Sequence, residues 1–473
     1  MNKQTRRSFL RTSLLGGAGL IILPNIVTGC RTLGVSANRR IQVAQIGCGR
    51  EGRVDMSGVL ACPSARVVAV CDLDTKRVAA AKDVVVNFYK EKGESNVDVQ
   101  TYHDFHEVLG RPDIDAVVVS TPDHWHALVA IHAALAGKHI YLQKPVTYAI
   151  AEAIALRHAV RAKKVILQAG SQQRSEHPFI AFRPASEAVR NGRIGRLATI
   201  KIGIGLDKPK GEAPAPMPVP ANFDYERWLG PAPEQPYMED RVHPQDSFNG
   251  RPGWITTEDF GLGMITNWGA HHIDIAQWAM GMELSGPTEI DAHANFMSGD
   301  VWTVHTNYHV KMRYANGVNV ILDNNYENGL RFEGSEGWIF CSRGSVRVTS
   351  SDPNLAEPAD LTKGPLRASD AKILSPLGTG AKRWPPSNNQ YANWLDSIIA
   401  RREPIAPIDQ AARSLTACAT AWIGMKLKRK LTWNPEKEMF VGDDEANAMR
   451  ERHARAQEYD FREVMKKAGL SAA

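Results

Sequence analysis

The 473-residue chain is 43% hydrophobic and 23% charged, with 38 Gly, 27 Pro and six Cys, a balance that excludes collagen, an extended coiled coil, a disulfide knot and wholesale disorder. Its length provides for two or three domains with cores of their own, and no apolar run reaches the roughly 20 residues of a membrane-spanning helix. The net charge of +6 sits largely at the start, because Lys3, Arg6, Arg7 and Arg11 occur with no acid in residues 1–30, leaving 53 basic against 51 acidic residues. Nucleic-acid binding therefore has no bulk electrostatic support.

Residues 1–30 read as an export address. A basic stretch, Thr5-Arg6-Arg7-Ser8-Phe9-Leu10-Arg11, precedes a short apolar one containing Leu14, Leu15 and Leu20-Ile21-Ile22-Leu23. That order marks a secretory signal rather than a spanning helix. The paired arginines resemble the twin-arginine signal, which exports folded proteins. The segment closes on Val27-Thr28-Gly29-Cys30, similar to a lipobox, so a lipid on Cys30 is the expected membrane attachment; the alternative is an ordinary cleaved signal. Residues 31–39 form a tether. The expected location is the periplasm or outer surface. The other cysteines, Cys48, Cys62, Cys71, Cys341 and Cys418, are odd in number and form no Cys-x-x-Cys, which predicts neither a disulfide framework nor a zinc ribbon.

A β-rich run, Arg40 to Ile46, leads into Gly47-Cys48-Gly49-Arg50-Glu51-Gly52, followed by a helix over 53–61 and a second strand, Arg66 to Cys71, that ends at Asp72. Alone the glycine pattern is weak; between a strand and a helix it is a dinucleotide-binding fingerprint. Gly47 permits the tight turn, Gly49 lets the backbone approach a pyrophosphate, and Gly52 allows helix and strand to pack closely. Arg50 and Glu51 complete the turn. Asp72, 20 residues beyond Gly52, has the spacing of the acid that binds the adenosine ribose. It would repel a 2′-phosphate, so NAD is expected, with Lys76 and Arg77 leaving NADP as the alternative. Alternation then continues: helix 73–92, strand 115–120, helix 125–136, strand 139–142, helix 149–163 and strand 165–168. The prediction is a doubly wound parallel sheet, a Rossmann domain over 40–168, with ligands at its carboxyl edge.

Two strand ends carry more polar chemistry than a turn requires: Ser120-Thr121-Pro122-Asp123-His124-Trp125-His126 and Gln143-Lys144-Pro145. Far downstream lies Gly261-Leu262-Gly263-Met264-Ile265-Thr266-Asn267-Trp268-Gly269-Ala270-His271-His272-Ile273-Asp274, where helical spacing puts Asn267, His271 and Asp274 on one face. With the glycine turn, these segments resemble the glucose-fructose oxidoreductase / inositol dehydrogenase (Gfo/Idh/MocA) family, over about 41–440. The resemblance extends to Gly170 to Arg174 and Arg331 to Trp338, as in an exported branch of that family. It implies that Ser120, Thr121, Pro122, His126, Gln143, Lys144 and Gln172 adjoin the cofactor. It also implies that Lys144 and His271 are catalytic with Asn267 positioning His271, and that Arg174, His272 and Asp274 face substrate. The implied fold class is α/β, the Rossmann domain being joined by a C-terminal α/β domain (169–440) with a large, mostly antiparallel sheet, often an oligomer interface; a homo-oligomer is expected. Strand-like runs at 197–205, 303–314, 318–322 and 338–341 agree, and residues 441–473 read as a helical extension.

A proline-rich insertion, 207–260, interrupts the second domain. It has eight prolines between 209 and 236, which disfavours regular structure, yet Phe223, Tyr225, Trp228, Leu229 and Tyr237 make it too apolar for a free linker. We read it as a packed flap near a sugar site, with Trp228 as a candidate stacking platform or a packing residue. Gln143 and Asn267 stand where the family has Glu and Asp. An amide removes a carboxylate's attraction for a nearby cation, so Lys144 and His271 are expected to titrate below their counterparts in acid-containing relatives. His124 with His126, or His271 with His272, could pair on a metal, but no carboxylate set completes a shell, so no metal is expected. The predicted function is an exported oxidoreductase moving hydride between a sugar hydroxyl and a tightly bound nicotinamide cofactor. A redox-assisted glycosidase and an impaired sugar-binding lipoprotein are the alternatives.

Overall fold

The computed structural model of the chain describes residues 40–95, 97–207, 214–344 and 364–472. The expected export signal, Cys30 and the tether lie outside the described residues. Six strands, β1 (Ile41–Ile46), β2 (Ala65–Cys71), β3 (Gln100–Tyr102), β4 (Ala116–Val119), β5 (His139–Leu142) and β6 (Leu167–Ala169), form one sheet in the order β3-β2-β1-β4-β5-β6. Every pairing is parallel. The central strands are continuous apolar runs, Ala116 to Val119 being wholly buried, because helices cover both faces. The edge strand β3 was not foreseen: it has three residues, two of them exposed, and no apolar alternation to betray it.

The helices follow from local chemistry. Helix α1 (Arg50–Leu60) starts directly at the glycine turn. Helix α2 (Thr75–Glu91) is capped by the Asp74 carboxylate, which accepts the Lys76 N–H at 3.0 Å, a bond worth about 1 kcal/mol. Helix α3 (Asp123–Leu135) is buried along nearly its whole length, and α4 (Ile150–Lys163) ends in a left-handed Lys164. Because the chain leaves β1 towards β2 and later returns to its other side at β4, a crevice opens at their carboxyl ends.

A second sheet of nine strands comprises β7 (Leu197–Gly203), β8 (Pro287–Phe296), β9 (His305–Tyr314), β10 (Asn319–Asp323), β11 (Gly329–Gly334), β12 (Gly337–Cys341), β13 (Leu366–Ala368), β14 (Leu431–Asn434) and β15 (Met439–Phe440). Their order is β13-β12-β11-β7-β10-β9-β8-β14-β15, antiparallel throughout except for the β10–β7 pair. Strand β9 turns Tyr308, Val310, Met312 and Tyr314 inward and Asn307, His309, Lys311 and Arg313 outward, the alternation of a sheet wet on one face. Two helices, α5 (Gly269–Met280) and α6 (Ile408–Leu427), pack together, and α6 also touches β8 and α4. It thereby joins the two sheets. Its Gly424 meets β8 closely: an added Cβ would lie 3.1 Å from that of Ala292.

The insertion is folded. Phe223, Tyr225, Trp228, Leu229, Tyr237 and Phe260 bury one another in a small core of their own, and the segment grips the β2–α2 loop. Thr75 N–H donates to Asn222 O, Asp224 N–H to Leu73 O, and Arg77 to Pro244 O. Burial opposes ionisation of Asp74, but hydrogen bonds from His243, Asn222 and Gln245 outweigh it and hold the carboxyl at about 2. The flap thus covers the ribose-binding end of the crevice as well as the expected sugar end. Beyond residue 441 the chain returns to the first sheet, burying Phe461 and Met465 against α3 and α4. Arg452 pairs with Glu152 at 2.7 Å, and Arg455 donates to Gly230 O at 2.7 Å, fastening the flap from behind.

Candidate functional site

A cavity of about 640 Å³ runs along the carboxyl edge of the first sheet and beneath the flap. At one end is the glycine turn. Gly47 has φ +86°, and a Cβ there would lie 2.6 Å from the Ser120 carbonyl carbon. A Cβ on Gly52 would come within 1.9 Å of Gly47 O. Around Gly49, by contrast, space is open: the nearest atom to an added Cβ is Arg77 Nη1 at 3.9 Å. No side chain caps α1 at Gly49, so the N–H groups of its first turn are left for an anionic group. Asp72 lines the same end, held by N–H groups of Cys48 at 2.6 Å and Asp74 at 3.0 Å, and each oxygen keeps a lone pair for a ribose hydroxyl. The residues fit a dinucleotide. Gly52→Ala is expected to cost about 1–3 kcal/mol of stability through overpacking and to weaken NAD binding, read by thermal unfolding and fluorescence titration.

The other end gathers Lys144, Asn267 and His271. Lys144 follows β5, and its Nζ donates to Asn267 Oδ1 at 3.3 Å. Asn267 therefore orients the lysine, whereas the sequence had assigned it to His271. Burial draws the Lys144 ammonium below its ordinary range, with Asp123, Glu51 and Asp55 pulling it back. His271 lies well below the usual imidazole value, first through burial and then through Arg343, Lys144 and His272; it is neutral, with a buried Nδ1 that has no hydrogen-bond partner. For both groups the first cause of the lowering is burial rather than the two amides, and carboxylate charge still faces Lys144.

Part of that charge is Asp55, which the sequence reading missed. Fully buried on α1, it accepts hydrogen bonds from Gln143 Nε2 at 2.8 Å, Ser120 Oγ at 2.6 Å and Tyr391 OH at 2.9 Å. Gln143 is thus the donor to a buried acid on helix α1. Burial, and then Glu51, raises the Asp55 carboxyl from 3.8 to about 7 against those three donors. A raised carboxyl stabilises the fold fully below its unfolded value and loses that contribution as pH climbs through the folded one. Asp55→Asn, which cannot ionise, is therefore expected to flatten the fall in stability between about 3.8 and about 7, read as denaturation midpoints across that range.

Of the other predicted cofactor contacts, Arg50, Glu51, Ser120, Thr121, Pro122, His126 and Gln172 line the cavity. His126 does so while bracing two loops: its Nδ1 lies 2.5 Å from Pro145 O and its Nε2 2.8 Å from Thr121 O, and burial takes it down to about 4. His124 turns its Nε2 to Trp228 O. Among the described residues no three His, Cys, Asp or Glu side chains group as a metal site.

Three predicted substrate residues face elsewhere. Arg174 and Asp274 are fully buried and paired, Nε and Nη2 each 2.7 Å from a carboxylate oxygen, because the helical face that carries Asp274 turns towards α6 rather than the cavity. His272 is buried between Gln173 at 3.2 Å and Asn328 at 3.1 Å. Trp228 does line the cavity, but its ring is packed by Tyr225, Phe223, Phe260 and His124, so it belongs to the flap core. Unforeseen cavity residues include Asp123, Trp254, Tyr391 and Arg343, the last stacked between Phe179 and Trp268.

A glycine turn and ribose acid on a parallel sheet, with a lysine, an amide and an imidazole at the far end of one cavity, define an NAD-binding oxidoreductase. The model of an oxidoreductase family's NAD-binding Rossmann fold matches residues 41–171, and that of its C-terminal alpha/beta domain matches residues 209–365. Myo-inositol 2-dehydrogenase of Thermotoga maritima is 24% identical over 321 residues, 66% of this chain and 77% of its own. A glycosyl hydrolase family 109 protein of Shewanella sp. (strain ANA-3) is 29% identical over 162 residues, 31% of this chain and 35% of its own. In fold, the aldose-aldose oxidoreductase of Caulobacter crescentus matches with TM-score 0.56 at 17% identity, covering 83% of this chain and 100% of that one. The chain belongs to the Gfo/Idh/MocA oxidoreductase family.

Proposed function

We propose that the protein is an exported enzyme that moves hydride between a hydroxyl-bearing carbon of a sugar or sugar derivative and a tightly held NAD. The observation that carries this reading is the meeting of Lys144, Asn267 and His271 in the cavity whose other end holds the glycine turn and Asp72. Bound nicotinamide supplies the hydride acceptor. Gly47, Gly49, Asp72, Thr121 and Gln172 would hold it. Lys144, steered by Asn267, donates to the reacting oxygen, and neutral His271 receives the hydroxyl proton. The inositol- and aldose-acting relatives support a polyol substrate.

Retention is supported by the flap. Phe248 lines the cavity, with the guanidinium groups of Arg53 and Arg77 5.4 Å and 5.2 Å from its ring centroid. Losing two such contacts, about 0.5–1 kcal/mol each, Phe248→Ala is expected to release NAD roughly five- to thirtyfold faster in stopped-flow displacement. The paired arginines at 6 and 7 support export; changing both to lysine should leave the protein in the cytoplasm.

The decisive assay follows the near-ultraviolet absorbance of co-purifying cofactor while methyl glycosides and free sugars are added, with products identified by mass. Sugar-dependent reduction with formation of a keto-sugar is expected. Release of an aglycone without net reduction would identify a redox-assisted glycosidase instead. Protein that neither retains nor takes up NAD would end the oxidoreductase reading.

A further inference from the structure

Asp123, at the start of α3, is 7% exposed and lines the cavity. Its carboxylate has no hydrogen-bond or ion-pair partner among the described residues apart from its own backbone. That is anomalous here. Other buried carboxylates are held by donors: Asp55 by three side chains, Asp274 by Arg174 and Ser414, Glu438 by Arg157, and Glu152 by two backbone N–H groups and Arg452. A buried acceptor without donors is costly unless something outside the chain supplies them.

The neighbourhood indicates what supplies them. A Cβ at Gly261 would lie 3.3 Å from Asp123 Oδ2 and 3.3 Å from Trp254 Cζ3. The bare glycine therefore lets the carboxylate and the indole pack close to the backbone, side by side on the cavity wall. Trp254, from the flap, is half-buried and also lines the cavity. Lys144 is close enough to pull the Asp123 carboxyl down, while burial, the stronger influence, pushes it up to about 7. A carboxylate beside an aromatic ring suits a molecule with hydroxyl donors on its edge and C–H groups on its face.

We propose that Asp123 and Trp254 form a sugar-ring subsite beside Lys144, in which the carboxylate accepts hydrogen bonds from hydroxyls of a neutral pyranoside and the indole carries its C–H face. This rests on the oxidoreductase reading and narrows its substrates to neutral rings with free hydroxyls next to the oxidised carbon.

The test uses the full chain loaded with NAD and a panel of methyl pyranosides with their monodeoxy analogues. Asp123→Asn keeps the shape and weakens the acceptor. It should raise KM roughly ten- to a hundredfold, the worth of a hydrogen bond to a charged group, with kcat within about threefold. The preference for the parent sugar over one deoxy analogue should shrink with it, while bound NAD, counted by mass, stays unchanged. Trp254→Ala should raise KM as well. Unchanged KM and unchanged deoxy discrimination in both Asp123→Asn and Trp254→Ala would overturn the subsite, as would a loss confined to kcat. Wild-type protein that reduces its NAD with no sugar overturns the oxidoreductase reading separately. In that case calorimetric binding of the methyl pyranosides still decides the subsite, since its loss in Asp123→Asn supports it and binding equal to wild type overturns it.

Discussion

Lys144→Met is expected to lower kcat about a thousandfold while leaving NAD bound. Methionine keeps the length and apolar bulk of the stem and removes only the ammonium. In a buried site a fixed donor aimed at a reacting oxygen contributes roughly 10²- to 10³-fold, and a coupled proton transfer 10²- to 10⁴-fold. Lys144 is enclosed, with Asn267 as its hydrogen-bonded side-chain partner, so no neighbouring group takes its place. Single-turnover reduction of the bound cofactor measures the chemical step, and mass spectrometry counts the cofactor retained. A decrease of less than about tenfold in that step would remove Lys144 from the reaction.

Arg174→Ala should destabilise the fold by about 3–5 kcal/mol, the cost of stranding one half of a buried ion pair. Arg174 also donates to Ile405 O at 3.0 Å and contacts Gln410, so it links the end of β6 to α5 and to the start of α6. The paired replacement Arg174→Met with Asp274→Leu should recover most of the loss, because an apolar pair of similar volume avoids the desolvation penalty. Denaturant unfolding of the three variants is the measurement. An Arg174→Ala protein as stable as wild type, but with raised KM, would return this arginine to the substrate site.

Those outcomes also probe what the amino-acid order can disclose. The glycine turn, Asp72, Lys144 and His271 were legible because their chemistry is tied to strand ends and helix starts, features with local signatures. Helix α1 was expected from 53 and begins at Arg50; strand β5 occupies the four residues expected of it. Strands β8 and β11 were missed because His, Asn and Gly interrupt their apolar alternation. Asp55 looks like any charged residue of an amphipathic helix, and only partners 65, 88 and 336 positions away, Ser120, Gln143 and Tyr391, reveal that it is enclosed. Asp274 illustrates the opposite failure. It shares a helical stripe with His271, yet a stripe has width, and three residues further along it meets Arg174 instead of the cavity. Gln143 read as a lost acid; the fold shows it donating to a buried one, Asp55.

Arg455, which reaches Gly230 across 225 positions of sequence, gives the molecule a birth order. On the ribosome the nucleotide-binding half and the segment that roofs it both emerge well before the residue that bolts the roof down. A dinucleotide can thus settle into an open cradle during synthesis and be shut in when the tail arrives. Closure by a late-made part turns the emergence of Arg455 into the moment of sealing.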